Sequence, residues 1–441
     1  MLTRQRVSTI AKLALPVSIA IGTTLLMSLI DLAMVAPLGS HATAAVGVSV
    51  FSNTLLLAFV IGVGPAVQGI VARRRGQGST DPKCLPLNGG LLAAVIIGLP
   101  LMLLGYFGAP FFVSLISSDP KVTAIAIPFL RLLYLAVIGA GMNVAFKGHW
   151  TGMERPNLYM SIVLLMNCIK IVSNYALIYG NFGAPALGAT GAAISTSIAM
   201  YSGVIVNVVL TRVKFPNEGF LSVMPGKALV QRIIKLGIPA TMQEFFFAAG
   251  YLVFFWLVGQ IGTAELAALN VMVRIGMVLS ILAMALGSAS ATLVSRTIGE
   301  GDLEGAAQWG WDSAKLGVIS ISALALPLVI FPRFFLSIFL SDPHTIDIAV
   351  LPWQLITGTA GLGSLIYVFA YTLVSVGDGN RVAMISFGTQ WLFFLPVAWF
   401  VGPYLKYGLL EISIVEIAYG ALATALITAV WAQRRWQKIK I

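Results

Sequence analysis

Charged residues and cysteines are both scarce in this sequence. Only 10% of its 441 residues are charged, whereas a typical soluble domain carries about 25%. A soluble globular class is therefore excluded. The two cysteines, Cys84 and Cys168, are too few for a disulfide framework and lack the spacing of metal ligands. The chain has no G-x-x-x-x-G-K-[ST] phosphate loop, which argues against ATP hydrolysis, and we expect no cofactor and no metal.

Apolar residues dominate the composition instead. Hydrophobic residues make up 58% of the chain, and the mean hydropathy is +0.93. Apolar runs of roughly 20 residues or more recur along the whole length, and each is long enough to cross a membrane as a helix. The sequence therefore predicts an all-α membrane protein with about twelve transmembrane helices.

Basic residues are in excess, with a formal net charge of +11. They are dispersed among short loops and the C-terminal tail and form no single basic face, so we expect no nucleic-acid partner. Lysine and arginine concentrate in the N-terminal tail, the even-numbered connections and the C-terminal tail. The positive-inside rule then predicts a multi-pass protein of the cell inner membrane with both termini in the cytoplasm.

The second half of the sequence repeats the first in a constant register. Residues 12–16 superpose on residues 235–239, and at the same shift Gly64, Arg73, Gly76 and Gly78 superpose on Gly287, Arg296, Gly299 and Gly301. We predict two six-helix lobes, 1–213 and 232–441, joined by a cytoplasmic linker over 214–231. An even number of helices per lobe makes this a parallel repeat, with its pseudo-twofold axis along the membrane normal and a central cleft between lobes that rock.

Few ionisable groups lie deep in the predicted helices, and each costs roughly 2.5–3.5 kcal/mol to insert. We interpret Asp31 as a proton or cation site, against the alternative of a structural carboxylate. Lys170 is predicted to pair with Asp31, unless it reaches an interface, and Asn174 lies one turn further on the same helix face. Glu244 is the counterpart in the second half, with a predicted contact to substrate or cation in the cleft.

Aromatic side chains are the candidates for an apolar substrate surface. Tyr367 and Tyr371 lie in the tenth predicted helix, and Phe247 follows Glu244 in the seventh. The alternative is that these rings pack against other helices or face lipid. We expect the substrate surface to include Glu244 and these three aromatic residues.

Several segments together resemble the multidrug and toxic compound extrusion (MATE) family, over essentially the entire length. They are residues 30–39, 62–78, 174–180, 191–196 and 287–302. The resemblance implies a V-shaped, two-lobe antiporter that exports cationic and amphipathic drugs in exchange for protons or sodium.

The family's cation-site positions carry over to Asp31, Asn174 and Thr196. Lys170 stands where the family usually has asparagine, and its fixed ammonium would compete with sodium, so we favour protons. The family's seventh-helix glutamate usually lies one turn beyond Glu244, where this chain has Phe247. The acidic residue expected in the tenth helix is also missing.

These observations predict a monomeric transporter and not an enzyme. We predict a cation-coupled antiporter, with protons as the coupling ion and sodium as the alternative, that exports small-molecule drugs by alternating access in the lipid bilayer. A lipid-linked oligosaccharide flippase of the same superfamily is the first alternative. An intramembrane enzyme is the second, but the buried charges are single and far apart in sequence, which argues against a catalytic cluster.

Overall fold

The computed structural model describes residues 3–116 and 119–439, and the described residues form helices and connections without any β-strand. Within these residues, eleven helical segments are long and apolar enough to cross a membrane. A pair of helices, Pro120–Leu135 and Val137–Gly152, meets the same test together and is bent by 41°. Counted as one span, this pair brings the described residues to the predicted twelve. Helices suit a bilayer because they satisfy their backbone polar groups internally.

The chain divides into two compact units. We call Ile19–Thr241 the first unit, and Met1–Ser18 with Met242–Ile441 the second unit. The two divisions fall within long helices, α1 (Arg4–Val35) and α9 (Lys227–Gly259), and each lies two residues after a proline. These prolines, Pro16 and Pro239, are equivalent in the sequence repeat, so the two divisions fall at equivalent places. The lobe boundaries predicted at 213 and 232 stay a prediction.

The first unit contains the larger part of α1, seven complete helices and the beginning of α9. The complete helices are α2 (Ser40–Ile61), α3 (Val63–Gly76), α4 (Leu85–Ser114), α5 (Pro120–Leu135), α6 (Val137–Gly152), α7 (Pro156–Tyr179) and α8 (Ala189–Lys214). Gly62 separates α2 from α3 at a close approach to α9. A Cβ at Gly62 would overlap the carbonyl oxygen of Gly237, so glycine allows these backbones to meet.

The second unit contains the start of α1, the rest of α9 and seven further helices. These are α10 (Thr263–Gly299), α11 (Leu303–Ile330), α12 (Pro332–Ser337), α13 (Pro343–Ser375), α14 (Gly379–Phe387), α15 (Leu395–Trp399) and α16 (Leu409–Ala432). Wider π-helical turns at Gly388–Phe394 and Phe400–Tyr404 join α14 and α15 into one span. The apolar core of this unit packs around Phe254, Trp353 and Phe394.

Equivalent helices of the repeat begin with the same cap. Asp119 accepts a hydrogen bond from the Lys121 backbone N–H at 2.8 Å, and Asp342 accepts one from the Thr345 backbone N–H at 2.9 Å. A proline follows each aspartate, at the position where a helix loses no hydrogen bond to it. The repeat is therefore visible in the local structure of α5 and α13.

The connection between α8 and α9 is shorter than the predicted linker. It covers residues 215–226, because α9 begins at Lys227, directly after Gly226, instead of at residue 232. Alanine, leucine, glutamine and arginine follow Lys227 and favour helix.

The side chain of Asn88 holds this connection in place. Asn88 donates to the carbonyl oxygens of Gly219 and Val223 at 2.8 and 2.9 Å and accepts from the Leu221 backbone N–H at 3.1 Å. Glu218 pairs with Lys83, which lowers the pKa of the glutamate by hydrogen bonding. Burial, together with Glu218, raises the pKa of the neighbouring Cys84 thiol to about 12.

Candidate ion and substrate sites

Helices α1 and α7 bring Asp31 and Lys170 into contact. The Lys170 Nζ atom lies 2.5 Å from Asp31 Oδ2, so the predicted pair is present. The side chains of Lys170 and Asp31 are 15% and 21% exposed, respectively. Asp31 lies seven residues before Leu38, where its membrane span ends, which is about 10 Å along the helix axis. Lys170 is therefore paired here, and its alternative role at an interface does not describe this structure.

Asn174 completes this centre from the next turn of α7. Its Nδ2 atom donates to Asp31 Oδ1 at 2.7 Å, so each carboxylate oxygen of Asp31 accepts from one side chain of α7. Asn174 is completely buried, and its own Oδ1 atom has no hydrogen-bond partner among the described residues. We call Asp31, Lys170 and Asn174 the paired centre of the first unit.

The surrounding contacts fix the end of α1 against α7 and α8. The Tyr179 hydroxyl donates to the Met34 carbonyl oxygen at 2.6 Å. Val35 packs in one apolar cluster with residues of α7 and α8. Gly191 brings α8 against α7, because a Cβ there would overlap the Leu177 carbonyl oxygen. The paired centre therefore lies on closely packed helices, which suits a site that needs defined geometry.

Thr196 is not part of the hydrogen-bonded centre. Its hydroxyl donates to the Ala192 carbonyl oxygen of its own helix at 3.0 Å, and it makes no hydrogen bond to Asp31 or Asn174 in the described part of the chain. The structure thus brings together three of the four predicted cation-site residues. The role of Thr196 stays a prediction.

The substrate candidates Glu244 and Phe247 lie on α9 in the second unit. Glu244 is partly buried, and Phe247 is 41% exposed, with its ring centroid 4.8 Å from that of Tyr251. Glu244 also interacts electrostatically with Tyr367 of α13. An acidic group and an exposed ring one turn apart are suitable for an organic cation, but their contact with substrate stays a prediction.

Tyr367 and Tyr371 lie one turn apart on α13 and pack toward α10. The Tyr367 hydroxyl is 3.5 Å from the Ser280 hydroxyl, and it is the donor. A Cβ at Gly287 of α10 would lie 3.1 Å from the Tyr371 Cβ. These contacts fit a packing role, and the predicted place of both tyrosines on a substrate surface stays a prediction.

Glu416 of α16 was missed by the sequence analysis. It lies seven residues after the start of α16 at Leu409, within an apolar helix, and it is partly buried. The Tyr251 hydroxyl donates to Glu416 Oε1 at 3.3 Å. The signal was available in the sequence, because an ionisable residue inside an apolar span is a functional candidate by default.

A second missed carboxylate is Asp312, near the start of α11. It is 2% exposed and pairs with Arg6, whose guanidinium carbon also lies 4.3 Å from the Trp309 ring centroid. The sequence assigns Arg6, one of the basic residues of the N-terminal tail, only to membrane topology. This pair is charge-balanced and sits within three turns of a helix end, which favours a structural role.

Comparison with protein-family models identifies the chain. The MatE model matches residues 16–176 and matches again at residues 239–400. The chain belongs to the MatE family. Its two matches begin at the pair of prolines, Pro16 and Pro239, that the repeat superposes, which confirms the internal repeat. Since the family consists of transporters, this MatE protein is a multi-pass membrane transporter of small molecules and not an enzyme.

Individual relatives agree with this assignment over almost the full length. The Multidrug resistance protein NorM of Photobacterium profundum is 27% identical, with 96% of this chain and 95% of the relative covered. The Probable multidrug resistance protein NorM of Thermotoga maritima is 26% identical, with 97% and 92% covered. The Vibrio cholerae MATE transporter VcmN in its bent form has the same fold, with a TM-score of 0.88 at 16% identity and 98% and 97% coverage.

Proposed function

We propose that this MatE protein is a proton-coupled antiporter that exports cationic or amphipathic small molecules across the cell inner membrane. Relatives named multidrug resistance proteins, aligned over nearly the whole chain, support the substrate class. The paired centre of Asp31, Lys170 and Asn174 is the observation that carries the coupling. The distribution of lysine and arginine supports cytoplasmic termini, and the protein acts as a monomer without nucleic acid or cofactor.

The composition of the paired centre favours protons over sodium. Lys170 places an ammonium group 2.5 Å from Asp31 Oδ2, where it supplies the positive charge that a bound sodium ion would supply. A sodium ion beside the ammonium would be repelled at short range and would have to displace it. A proton needs no such space, because it binds to a carboxylate oxygen directly.

Protonation of Asp31 changes the contacts between α1 and α7. The neutral carboxyl group no longer attracts Lys170, and the ammonium is left without its counter-charge in a mostly buried position. The new O–H group needs an acceptor, and the buried Oδ1 atom of Asn174 is a neighbouring one. The two protonation states therefore prefer different arrangements of α1 and α7, which is the requirement for coupling.

The test is drug efflux from inverted vesicles under an imposed proton gradient and then a sodium gradient. Asp31→Asn keeps the shape of the side chain and removes its titration, so we expect proton-driven efflux to fall to the background of empty vesicles. Asp347→Asn is the matched control, since Asp347 is 56% exposed and pairs with Arg333 at a helix start.

Three results contradict the proposal. Undiminished proton-driven efflux in Asp31→Asn removes Asp31 from the coupling step. Efflux driven equally well by sodium in the wild type contradicts the choice of proton. No drug transport under either gradient favours the flippase alternative, which a lipid-linked oligosaccharide assay in the same vesicles then tests.

A further inference from the structure

We propose that Glu416 of α16, hydrogen-bonded to Tyr251 of α9, is a second proton-binding site, located in the second unit. This inference deepens the proposed function, and it rests on that function only for its role in transport. Nothing in the pattern of family positions indicated it, because the tenth helix lacks the expected carboxylate and Glu244 lies one turn away from the usual place. The evidence comes from the contacts of Glu416 itself.

The environment of Glu416 is aromatic and phenolic. Tyr251 donates to its Oε1 atom at 3.3 Å. Tyr419, one turn further along α16, and Tyr367 of α13 pack with Tyr251 against the same apolar cluster of the second unit. The Tyr419 ring stacks on Phe394 with centroids 4.9 Å apart. Glu416 therefore lies beside aromatic side chains that pack against the apolar core of the second unit.

No cation neutralises Glu416 among the described residues. Of the segments that pack against α16, α13 carries His344 and Asp347 in its first turns, where Asp347 pairs with Arg333, and Tyr367 and Tyr371 further along. Helix α14 contributes Arg381, which pairs with Asp378 at 3.3 Å. The segment 388–404 contributes only Tyr404, whose ring stacks on Phe400. The basic turn Arg435–Lys438 packs at the opposite end of α16 from Glu416. The polar group that contacts this carboxylate is the Tyr251 phenol, and the other acid of the same helix, Glu411, binds the Gly408 backbone N–H at the helix start.

An unpaired carboxylate in an apolar helix is a proton acceptor on electrostatic grounds. An ionised side chain is costly to insert near the centre of a membrane helix, and a bound proton removes most of that cost. Glu416 lies about 10 Å from the start of α16, deep enough for this cost to apply in part. A single phenol donor offsets less of the cost of the carboxylate charge than do the ammonium and amide groups that hydrogen-bond to Asp31.

Tyr251 suits a site that changes its protonation state. A phenol is both donor and acceptor, so its hydroxyl can donate to the ionised carboxylate and accept from the protonated one. The reaction is the gain or loss of one proton at a Glu416 oxygen, with the Tyr251 hydroxyl rotating to match and no other bond changed. Lysine could not serve in this way, because it only donates.

Infrared spectroscopy of the purified protein tests this site without any substrate or gradient. Protonated carboxyl groups absorb through a C=O stretch that ionised carboxylates lack. In an Asp31→Asn background at neutral pH, we expect Glu416→Gln to remove a protonated-carboxyl band. Glu411→Gln is the control on the same helix, since Glu411 accepts from the Gly408 backbone N–H at 3.0 Å, a bond that glutamine can keep.

A second variant allows the site to be tested even where Glu416→Gln misfolds. Tyr251→Phe keeps the ring and the glutamate but removes the hydroxyl, so the Glu416 band should shift in frequency. A folded Glu416→Gln protein with an unchanged spectrum overturns the proposal, and so does an unmoved band in Tyr251→Phe. Either failure leaves the efflux result for Asp31→Asn untouched, and a failure of drug efflux leaves the infrared result untouched.

Discussion

Asp31 and Glu416 are each seven residues from the end of an apolar span, yet the two carboxylates have different hydrogen-bond partners. Asp31 is held by an ammonium and an amide from α7. Glu416 is held by one phenol and has no cation among the described residues. Similar positions in helices of similar composition therefore do not imply similar partners, because the neighbouring helix supplies the partner.

This difference implies different responses to a proton. At the paired centre, a proton breaks an ion pair and leaves a lysine without its counter-charge, so protonation changes contacts between helices. At Glu416, a proton relieves an uncompensated charge and leaves the hydrogen bond to Tyr251 in place. The first centre is suited to drive a rearrangement, and the second is suited to carry a proton with little rearrangement.

The largest effect is expected from a variant in which Asp31, like Glu416, has no cationic partner. Lys170→Met leaves Asp31 without its cation, and we expect a loss of stability of up to about 3–5 kcal/mol, the usual cost of breaking a buried pair. Thermal unfolding in detergent measures it. The double variant Asp31→Asn/Lys170→Met should recover much of this loss without recovering proton-driven efflux. Strictly additive effects of the two changes would show that the pair contributes no coupling energy.

A smaller effect measures how much the Asn174 amide contributes to the paired centre. Asn174→Ala removes the donor to Asp31 Oδ1 but keeps Lys170, so we expect about 1.5–3 kcal/mol of destabilisation and reduced, measurable efflux. Thr196→Val is the matched control, because among the described residues the Thr196 hydroxyl donates only to a carbonyl oxygen of its own helix. We expect the control to change stability by less than about 0.5 kcal/mol. A Thr196→Val protein that lost proton-driven efflux would place Thr196 in the centre after all.

The smallest effect comes from an ion pair of the first unit that lies outside the membrane spans. Lys83 lowers the pKa of Glu218 below its ordinary value of 4.5, so this pair stabilises the fold above that value and stops doing so as the pH falls through the lowered pKa. Glu218 is 26% exposed, and we expect Lys83→Met to cost at most about 1 kcal/mol at pH 7.

Unfolding scans of Lys83→Met and wild type at several pH values check this prediction. The difference in melting temperature should shrink toward zero as the pH falls through the lowered pKa of Glu218, where the glutamate takes up a proton in both proteins. A difference as large as that for Lys170→Met would contradict the distinction between an exposed pair and one inside a span. A difference that grew in acid would contradict the assigned sign.

Much of the fold was predictable because the bilayer requires it. Apolar runs long enough to cross a membrane must be helices, and the register of the sequence repeat appears again in the helix caps and in the two family-model matches. The contact between Asp31 and Lys170 was predictable for the same reason, since two opposite charges inside apolar spans lower each other's cost by pairing. The linker end at residue 226 was not predicted, because helix ends depend on local caps.

The sequence by itself determined the number and type of the spans, the repeat and the need for partners at each intramembrane charge, since these follow from composition and spacing. Only the tertiary structure decided which partner each charge has. Tyr251 and Glu416 are 165 residues apart in the chain, and the hydrogen bond between them exists because α9 and α16 both contribute to one apolar core of the second unit. Helix packing depends on the shapes of the side chains along the whole surface of each helix, and a local sequence pattern does not determine it.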